Sequence, residues 1–477
     1  MKMDLREEMD VDRKARMKLD DVELAARPAE ERVKDFEPTF LPLTPEEAQA
    51  AATLCIHCPD PAPCSEACPV HNDISGAMWL IEKGDFIGAA ELYRQTSSLP
   101  EICGRVCPHE KVCEGACVRG RRGDPAITGA LEYFVADYQR RHGGVEIPVG
   151  EPTGKRVALV GAGPSSLSCA DKLLQKGHEV TFFEALPEPG GLLIYGIPNF
   201  KLDKEVVKAR LDDFRRAGAE FVTNTRIGED KTVDDLFAEG FDAVYVAVGT
   251  GVDAEMDVPG VDLEGVYQAT DFLVRANVDP ELLPPEQRAK PIVGRRVAVI
   301  GGGDTASDCL RTASRLGAEE VTCLYRRTEL EMPGGEKDRK LAEEEGAKFR
   351  FLTQPIRFIP GSDGKVAAVE CLQCELGEPD DSGRRRPIPI DGSNFTVEVD
   401  TVILALGYWP DPTIGESTPG LETHKWGLIV TDQETGATSR PGVFAGGDAV
   451  TGPDLVVTAM LAGHRSAEAI DEFLSAA

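Results

Sequence analysis

Beyond residue 150 the apolar residues fall in short runs that end in glycine, not in long amphipathic stripes. KRVALVGAG (155–163) is one such run, a fully apolar strand pattern entering a glycine turn. SLSCADKLLQKG (166–177) follows with helical spacing, and HEVTFFEA (178–185) is a second strand. The same grammar returns as RRVAVIGGG (295–303), DTASDCLRTASRLG (304–317) and VTCLYRR (321–327). Each is a β-α-β unit, and two of them predict two nucleotide sites. FDAVYVAVGTG (241–251) and DTVILALGYWP (400–410) are further apolar strands that close the respective halves. GEPDDSGRRRPIPIDGS (377–393) reads as a polar, hairpin-like loop.

Before residue 150 the pattern is helical. LTPEEAQAAATLC (43–55) starts a helix, with Thr44 as N-cap and Pro45 in the first position. SGAMWLIEKGDFIGAAELYRQ (75–95) continues with helical periodicity. The expected organisation is therefore α/β: a helical N-terminal domain, then two Rossmann-like domains, the second inserted in the first. The expected boundaries are a charge-dense, loosely packed arm over 1–37, a helical domain over 38–149, a discontinuous first nucleotide domain over 150–290 and 400–477, and a second over 291–399.

In the first glycine turn, Gly161 permits the tight turn and Gly163 lets backbone approach a pyrophosphate, with Pro164 and Ser165 opening the helix. Ser166 replaces the third glycine of the fingerprint. Glu184 ends the second strand 23 residues after Gly161, where an acid suits a ribose diol. In the second turn, Gly301, Gly303, Asp304 and Thr305 occupy the equivalent places, but Arg326 and Arg327 stand where NAD enzymes keep an acid. Guanidinium groups match a 2′-phosphate in charge and fork geometry, which favours NADPH over NADH. The competing reading of these arginines is a solvated strand end.

Charge and cysteine content alter the picture. Lys and Arg number 52 against 82 Asp and Glu, a net of −30, which repels phosphate backbones and anionic lipid. Nucleic acid and membrane are therefore not expected partners. No run approaches the ~20 apolar residues of a membrane span, and the N-terminus lacks a signal-peptide core, so a cytoplasmic location is expected. Eight of 13 cysteines fall between Cys55 and Cys117. A reducing compartment disfavours disulfides. Cys55-x2-Cys58-x5-Cys64-x3-Cys68-Pro and Cys103-x3-Cys107-Pro-x4-Cys113-x3-Cys117 contain one C-x2-C pair, where zinc ribbons repeat it. Cysteine-proline after closely spaced cysteines points to iron–sulfur clusters, and eight thiols would fill two four-cysteine sites. Cys169, Cys309 and Cys323 sit within the Rossmann units and read as structural. Cys371 and Cys374, three apart on an apparent strand, point to opposite faces and make a poor redox pair.

PAEERVKDFE, CGRVCPHEKVCEGAC, PGGLLIYGIPNFKLDK, VIGGGDTASDC, YRRTELEMPGGEK and VFAGGDAVTGPDLVVTAMLAGHRSA carry a resemblance over nearly the whole chain. The chain resembles the glutamate synthase small (beta) subunit family, the large subunit of NADH-dependent ferredoxin:NADP oxidoreductase and the N-terminal half of dihydropyrimidine dehydrogenase. The resemblance implies FAD on the first glycine turn, with Gly191 in the PGG motif and Gly447 and Asp448 of VFAGGDAV completing the flavin site. It also implies two [4Fe–4S] clusters with crossed ligation: Cys55, Cys58, Cys64 and Cys117 for one, Cys68, Cys107, Cys113 and Glu132 for the other. Cys103 is then a bystander, whereas the simple count makes it a ligand. An exposed glutamate in a local ion pair is the plain alternative for Glu132. The implied activity is hydride transfer from NADPH to FAD and single-electron transfer through clusters to another protein: a glutamate synthase large subunit, ferredoxin or another reductase, with electron bifurcation as a variant. No acid–base residue is expected to dominate. Rival readings are a disulfide reductase of thioredoxin-reductase type, which lacks its cysteine pair here, and a non-catalytic subunit that holds clusters.

Overall fold

The computed structural model describes residues 9–476, so the first eight residues of the expected arm lie outside the described residues. Two five-stranded, fully parallel sheets carry the C-terminal two thirds. The first is ordered Val443–Ala445, Ala243–Val246, Arg156–Val160, Glu179–Phe183, Glu220–Val222. The second is ordered Val266–Gln268, Thr401–Leu404, Arg296–Ile300, Glu320–Leu324, Lys348–Arg350. The inner strands Arg156–Val160, Ala243–Val246, Arg296–Ile300 and Thr401–Leu404 are nearly continuous in buried residues, as parallel strands covered on both faces require, whereas the edge strands Glu220–Val222 and Lys348–Arg350 are partly exposed. The second sheet begins at Val266 and ends at Leu404. It therefore extends past the expected limits of 291 and 399 at both ends. The missed strand, Val266–Gln268, is three residues long with no alternation to betray it.

An antiparallel sheet rides on the second unit: Thr353–Pro360, the long strand Val366–Pro379, Arg385–Pro389 and Phe395–Glu398. Cys371 and Cys374 lie on its long strand, both buried and unpaired.

The helical region is built as its caps dictate. Thr44 and Glu47 form a capping box for the helix Pro45–Ala52, and Asp73 and Asp85 cap Ile74–Glu82 and Phe86–Arg94 through the Gly76 and Gly88 amides. Pro100–Val106 and Thr128–His142 complete it. This region has no separate core. Ala48, Met78, Tyr93, Ile102 and Leu131 belong to one apolar cluster with Leu167, Leu173, Phe182 and Met460 of the first sheet and its helices.

A buried polar knot fixes the same junction. The Ser98 hydroxyl donates to Asp171 Oδ2 at 2.7 Å and lies 2.8 Å from His464 Nε2. Arg210 reaches Asp171 Oδ1 at 2.9 Å and the Ser98 carbonyl at 3.1 Å. Helix Val456–Ala476 crosses Pro164–Gln175 at Gly463, where a Cβ would sit 2.2 Å from the Ser165 carbonyl.

The N-terminal arm is packed, contrary to the loose segment expected. Arg13 and Arg16 donate to the Ile56, His57 and Cys55 carbonyls. Further on, Arg32 pairs with Glu344 at 2.6 Å and Glu345 at 3.6 Å, and Thr39 Oγ1 accepts from Arg311. The arm thus straps the cysteine region to the second nucleotide unit. Glu345 is the centre of this contact: Arg311 and Arg315 approach it at 2.9 and 2.6 Å, and all three side chains are buried. Replacing Glu345 with Ala strands buried guanidinium groups, so unfolding free energy should fall by about 3–5 kcal/mol in chemical denaturation. A loss under about 1 kcal/mol, as an exposed ion pair gives, would mean that the strap bears no load.

Candidate functional site

Both nucleotide units border one cleft of about 1760 Å³, the first through its glycine turn and the second through the helix start that follows its own. This exceeds the ~300–1,000 Å³ of a pocket for one small ligand. At the first turn, Gly161 has φ +90°, and a Cβ there would lie 2.6 Å from the Ala247 carbonyl. Only glycine serves at that position. Gly163 is the N-cap of helix Pro164–Gln175, and a Cβ there would meet nothing within 4 Å, so its backbone is open to a ligand. Glu184 accepts from the Ala162 amide at 2.9 Å and the Leu186 amide at 3.0 Å. A carboxylate has about four lone-pair sites, so acceptor capacity remains for a sugar hydroxyl. Gly191 packs over the Gly163 Cα, and Gly447 packs against Ser165, whose hydroxyl lies 2.7 Å from Tyr245 Oη. Asp448 follows in the cleft wall, where burial, then the nearby Asp454 carboxylate, push it up to about 7. Thus Gly161, Gly163, Pro164, Ser165, Glu184, Gly191, Gly447 and Asp448, scattered over the sequence, line one wall.

Asp304 and Thr305 line the same cleft from the second unit. Gly301 and Gly303 lie immediately behind them at the start of helix Asp304–Arg315 and are not lining residues. A loop absent from the sequence reading closes this turn: Gly334 donates to the Gly302 carbonyl and Gly335 to Asp304 Oδ1. Its signal was present in the Pro-Gly-Gly of 333–335. Lys201 was also missed. From the first unit it reaches Asp338 at 2.6 Å and Asp308 at 3.3 Å on the second, joining the two across the cleft.

Arg326 and Arg327 do not act as a pair. Arg326 is exposed past the end of its strand. Arg327 is 5% exposed, and its guanidinium is occupied by the Arg385 carbonyl at 2.7 Å and Asp380 at 2.6 Å. Neither lines the cleft itself.

The cysteines gather in two groups. Cys55, Cys58, Cys64 and Cys117 lie close together: burial first, then the charges of neighbouring thiols, Cys117 among them, push Cys55 up to about 12 and Cys64 up to about 11. Cys68, Cys103, Cys107, Cys113 and Glu132 line one small cavity of about 20 Å³. Glu132 is 5% exposed and has no cation beside it; its nearest donor is Asn72 at 3.4 Å. Burial alone lifts its carboxyl to about 8, against the Asn72 contact. An exposed ion-paired glutamate is therefore excluded. A buried acid with so weak a partner, among thiols, is a donor set that suits a thiophilic cationic cluster. Among the described residues no three such side chains converge on a single-ion position. Cys107 and His109 line both this cavity and the large cleft. No described helix is long and apolar enough to cross a membrane.

Comparison with known proteins agrees with this division. Residues 32–144 match dihydropyrimidine dehydrogenase domain II, 4Fe-4S cluster, and residues 155–463 match the pyridine nucleotide-disulphide oxidoreductase family. The chain is 41% identical over 455 residues to the glutamate synthase [NADPH] small chain of Escherichia coli, covering 94% of this chain and 96% of that one. Against the small chain of Halomonas elongata the figures are 42% over 457 residues, 94% and 95%. The NADPH-Fe(3+) oxidoreductase subunit beta of Geobacter sulfurreducens is 37% identical, with 87% of this chain and 64% of that one covered. FprA of Mycobacterium tuberculosis, solved with NADPH, shares the fold at TM-score 0.58 and 24% identity over 68% of this chain and 85% of that one. With a 4Fe–4S domain packed against two nucleotide units, the chain belongs to the glutamate synthase small-subunit family of NAD(P)H-dependent iron–sulfur flavoprotein oxidoreductases.

Proposed function

We propose that this chain takes reducing equivalents from NADPH and delivers them one electron at a time to a partner subunit. The observation that carries the reading is the shared wall: Cys107 and His109 border both the nucleotide cleft and the cysteine cavity. FAD, when bound, supplies the conversion of a two-electron hydride to single electrons, and [4Fe–4S] clusters supply one-electron exit. The chain's residues provide position. Gly161, Gly163 and Ser165 present backbone N–H groups to the FAD pyrophosphate, Pro164 opens the helix whose N-terminus faces it, and Glu184 offers its acceptor to a ribose. Gly191 and Gly447 leave room beside that turn, and Asp448 offers a carboxyl to the ribityl hydroxyls. Gly301, Gly303, Asp304 and Thr305 do the same for NADPH, with Arg326 facing the 2′-phosphate. The FAD-binding unit is thus discontinuous, and the NADPH-binding unit is the insertion.

Two clusters fit the two cysteine groups. Cys55, Cys58, Cys64 and Cys117 hold one; Cys68, Cys107, Cys113 and Glu132 hold the other. For the last ligand, satisfaction of the side chains favours Glu132 over Cys103. Both side chains are buried beside the cavity, and the Glu132 carboxyl has one long contact, to Asn72, and no paired cation among the described residues. The kind of partner follows from the relatives, which are small or beta subunits: glutamate synthase small chains, and the beta subunit of an NADP(+)-dependent formate dehydrogenase from Moorella thermoacetica. A larger redox subunit in the cytoplasm is the acceptor we infer.

Two experiments test this reading. Under anaerobic conditions NADPH should bleach the visible flavin absorbance of the purified chain without any partner, and NADH should do so at much higher concentration. Absence of bleaching, or a preference for NADH, would overturn the assignment. For the clusters, Cys103→Ser should keep the wild-type iron content and electron paramagnetic resonance signals. Glu132→Ala should lose roughly half the iron or alter one signal. The opposite pattern would restore eight thiolates as the ligands.

A further inference from the structure

The hairpin of Val366–Pro379 and Arg385–Pro389 ends beside the second unit's strand Glu320–Leu324. Its turn is folded by Asp380, whose Oδ1 accepts from Ser382 and from the Arg384 amide. The other oxygen, Oδ2, faces away from the turn and accepts from Arg327 at 2.6 Å. Arg327 Nε donates to the Arg385 carbonyl at 2.7 Å, so one buried guanidinium grips both the turn and the returning strand. Backbone bonds pin the same spot: the Tyr325 amide donates to the Arg350 carbonyl, and the Leu352 amide to the Arg327 carbonyl. With Arg327 turned inward and its backbone fixed, Arg326 is left on the outside.

Arg326 stands at the base of the hairpin. Its charge offsets part of the upward push of burial on Cys374, and Cys374 is paired across the hairpin with Pro389. Arg386, on the returning strand, is exposed as well. Among the described residues no carboxylate pairs with Arg326 or Arg386, although acids outnumber bases by 82 to 52 along the chain. Arg326, an unpaired guanidinium in so acidic a protein, stands past the strand end where a dinucleotide fold meets the adenosine ribose and is placed for an anion from outside.

We propose that Arg327 and Asp380 form a clamp that positions the 377–389 hairpin against Arg326, and that the corner so made is the 2′-phosphate pocket. This inference rests on the NADPH reading above. Arg326 is the phosphate ligand, and Arg327, which the sequence pairs with it, is a positioning residue. A phosphate that recruited Arg327 would first have to break its buried bonds to Asp380 and Arg385. Selectivity for NADPH therefore depends on a carboxylate, Asp380, that touches no part of the coenzyme.

The test is calorimetric binding to the intact holoprotein. The probes are adenosine 2′,5′-bisphosphate and, lacking the 2′-phosphate, adenosine 5′-monophosphate. Arg326→Ala should weaken the bisphosphate about 10- to 100-fold and leave the monophosphate unchanged. Asp380→Asn and Arg327→Lys should each weaken the bisphosphate about tenfold, again sparing the monophosphate, and KM for NADH should hold. Adding Asp380→Asn to Arg326→Ala should cost nothing more, because both act on one contact. If Arg326→Ala leaves bisphosphate affinity intact, the NADPH assignment to this corner fails and the clamp with it. If Arg326→Ala behaves as expected, the clamp alone is overturned by either of two results: Asp380→Asn matching the wild type, or Asp380→Asn weakening both probes equally. In the first case, loss of bisphosphate binding in Arg327→Lys would make Arg327 a ligand.

Discussion

One buried carboxylate, Asp171, holds the cysteine region to the first nucleotide unit. It lies on the helix that begins at the first glycine turn, and it receives Ser98 from the cysteine region and Arg210 from a third helix. His464, kept neutral by burial and by the Lys172 charge, completes the knot from the C-terminal helix. Each member satisfies another, so removing one leaves buried polar groups without partners. The separation between the nucleotide cleft and the cysteine cavity is set by this junction. A shared apolar core with a polar knot holds that separation fixed.

The second unit is attached differently. It repeats the strand layout of the first, and ion pairs join it to the rest of the chain, Lys201 with Asp308 and Asp338 and Arg32 with Glu344 and Glu345. Val274 of its helix Ala269–Asn277 adds an apolar contact with the core of the first unit, and Arg311 and Arg315 lie over the Phe200 ring. The cleft between the units is bordered by both, so its width depends in part on side chains at these positions. The glycine turns themselves are rigid, since backbone carbonyls crowd Gly161 and Gly301.

Much of this could be read from the sequence because the signals are local. The β-α-β grammar, the glycine turns, the Thr44 cap and the grouping of eight cysteines each need a few neighbouring residues. The pairing of Gly447 and Asp448 with Gly161, some 290 residues earlier, came through resemblance and not through spacing. What sequence missed is tertiary. Nothing beside Glu132 says that it will be buried without a cation. Adjacent arginines look equivalent on paper, but Arg327 is drawn inward by an aspartate 53 residues later. The arm looked loose because its charges are many, and their partners, Glu344 and Glu345, lie about 310 positions away. Likewise the grammar changes near residue 150, where a domain boundary was expected, while the apolar core runs straight across it.

That continuous core bears on inheritance. A gene can exchange a segment cleanly where few buried contacts cross the cut. A cut near residue 150 would leave Ser98 on one piece and Asp171 and His464 on the other, each facing an alien surface. In this chain an exchange at that point would strand buried polar groups on both pieces, so the cysteine region and the first nucleotide unit behave as one unit of exchange.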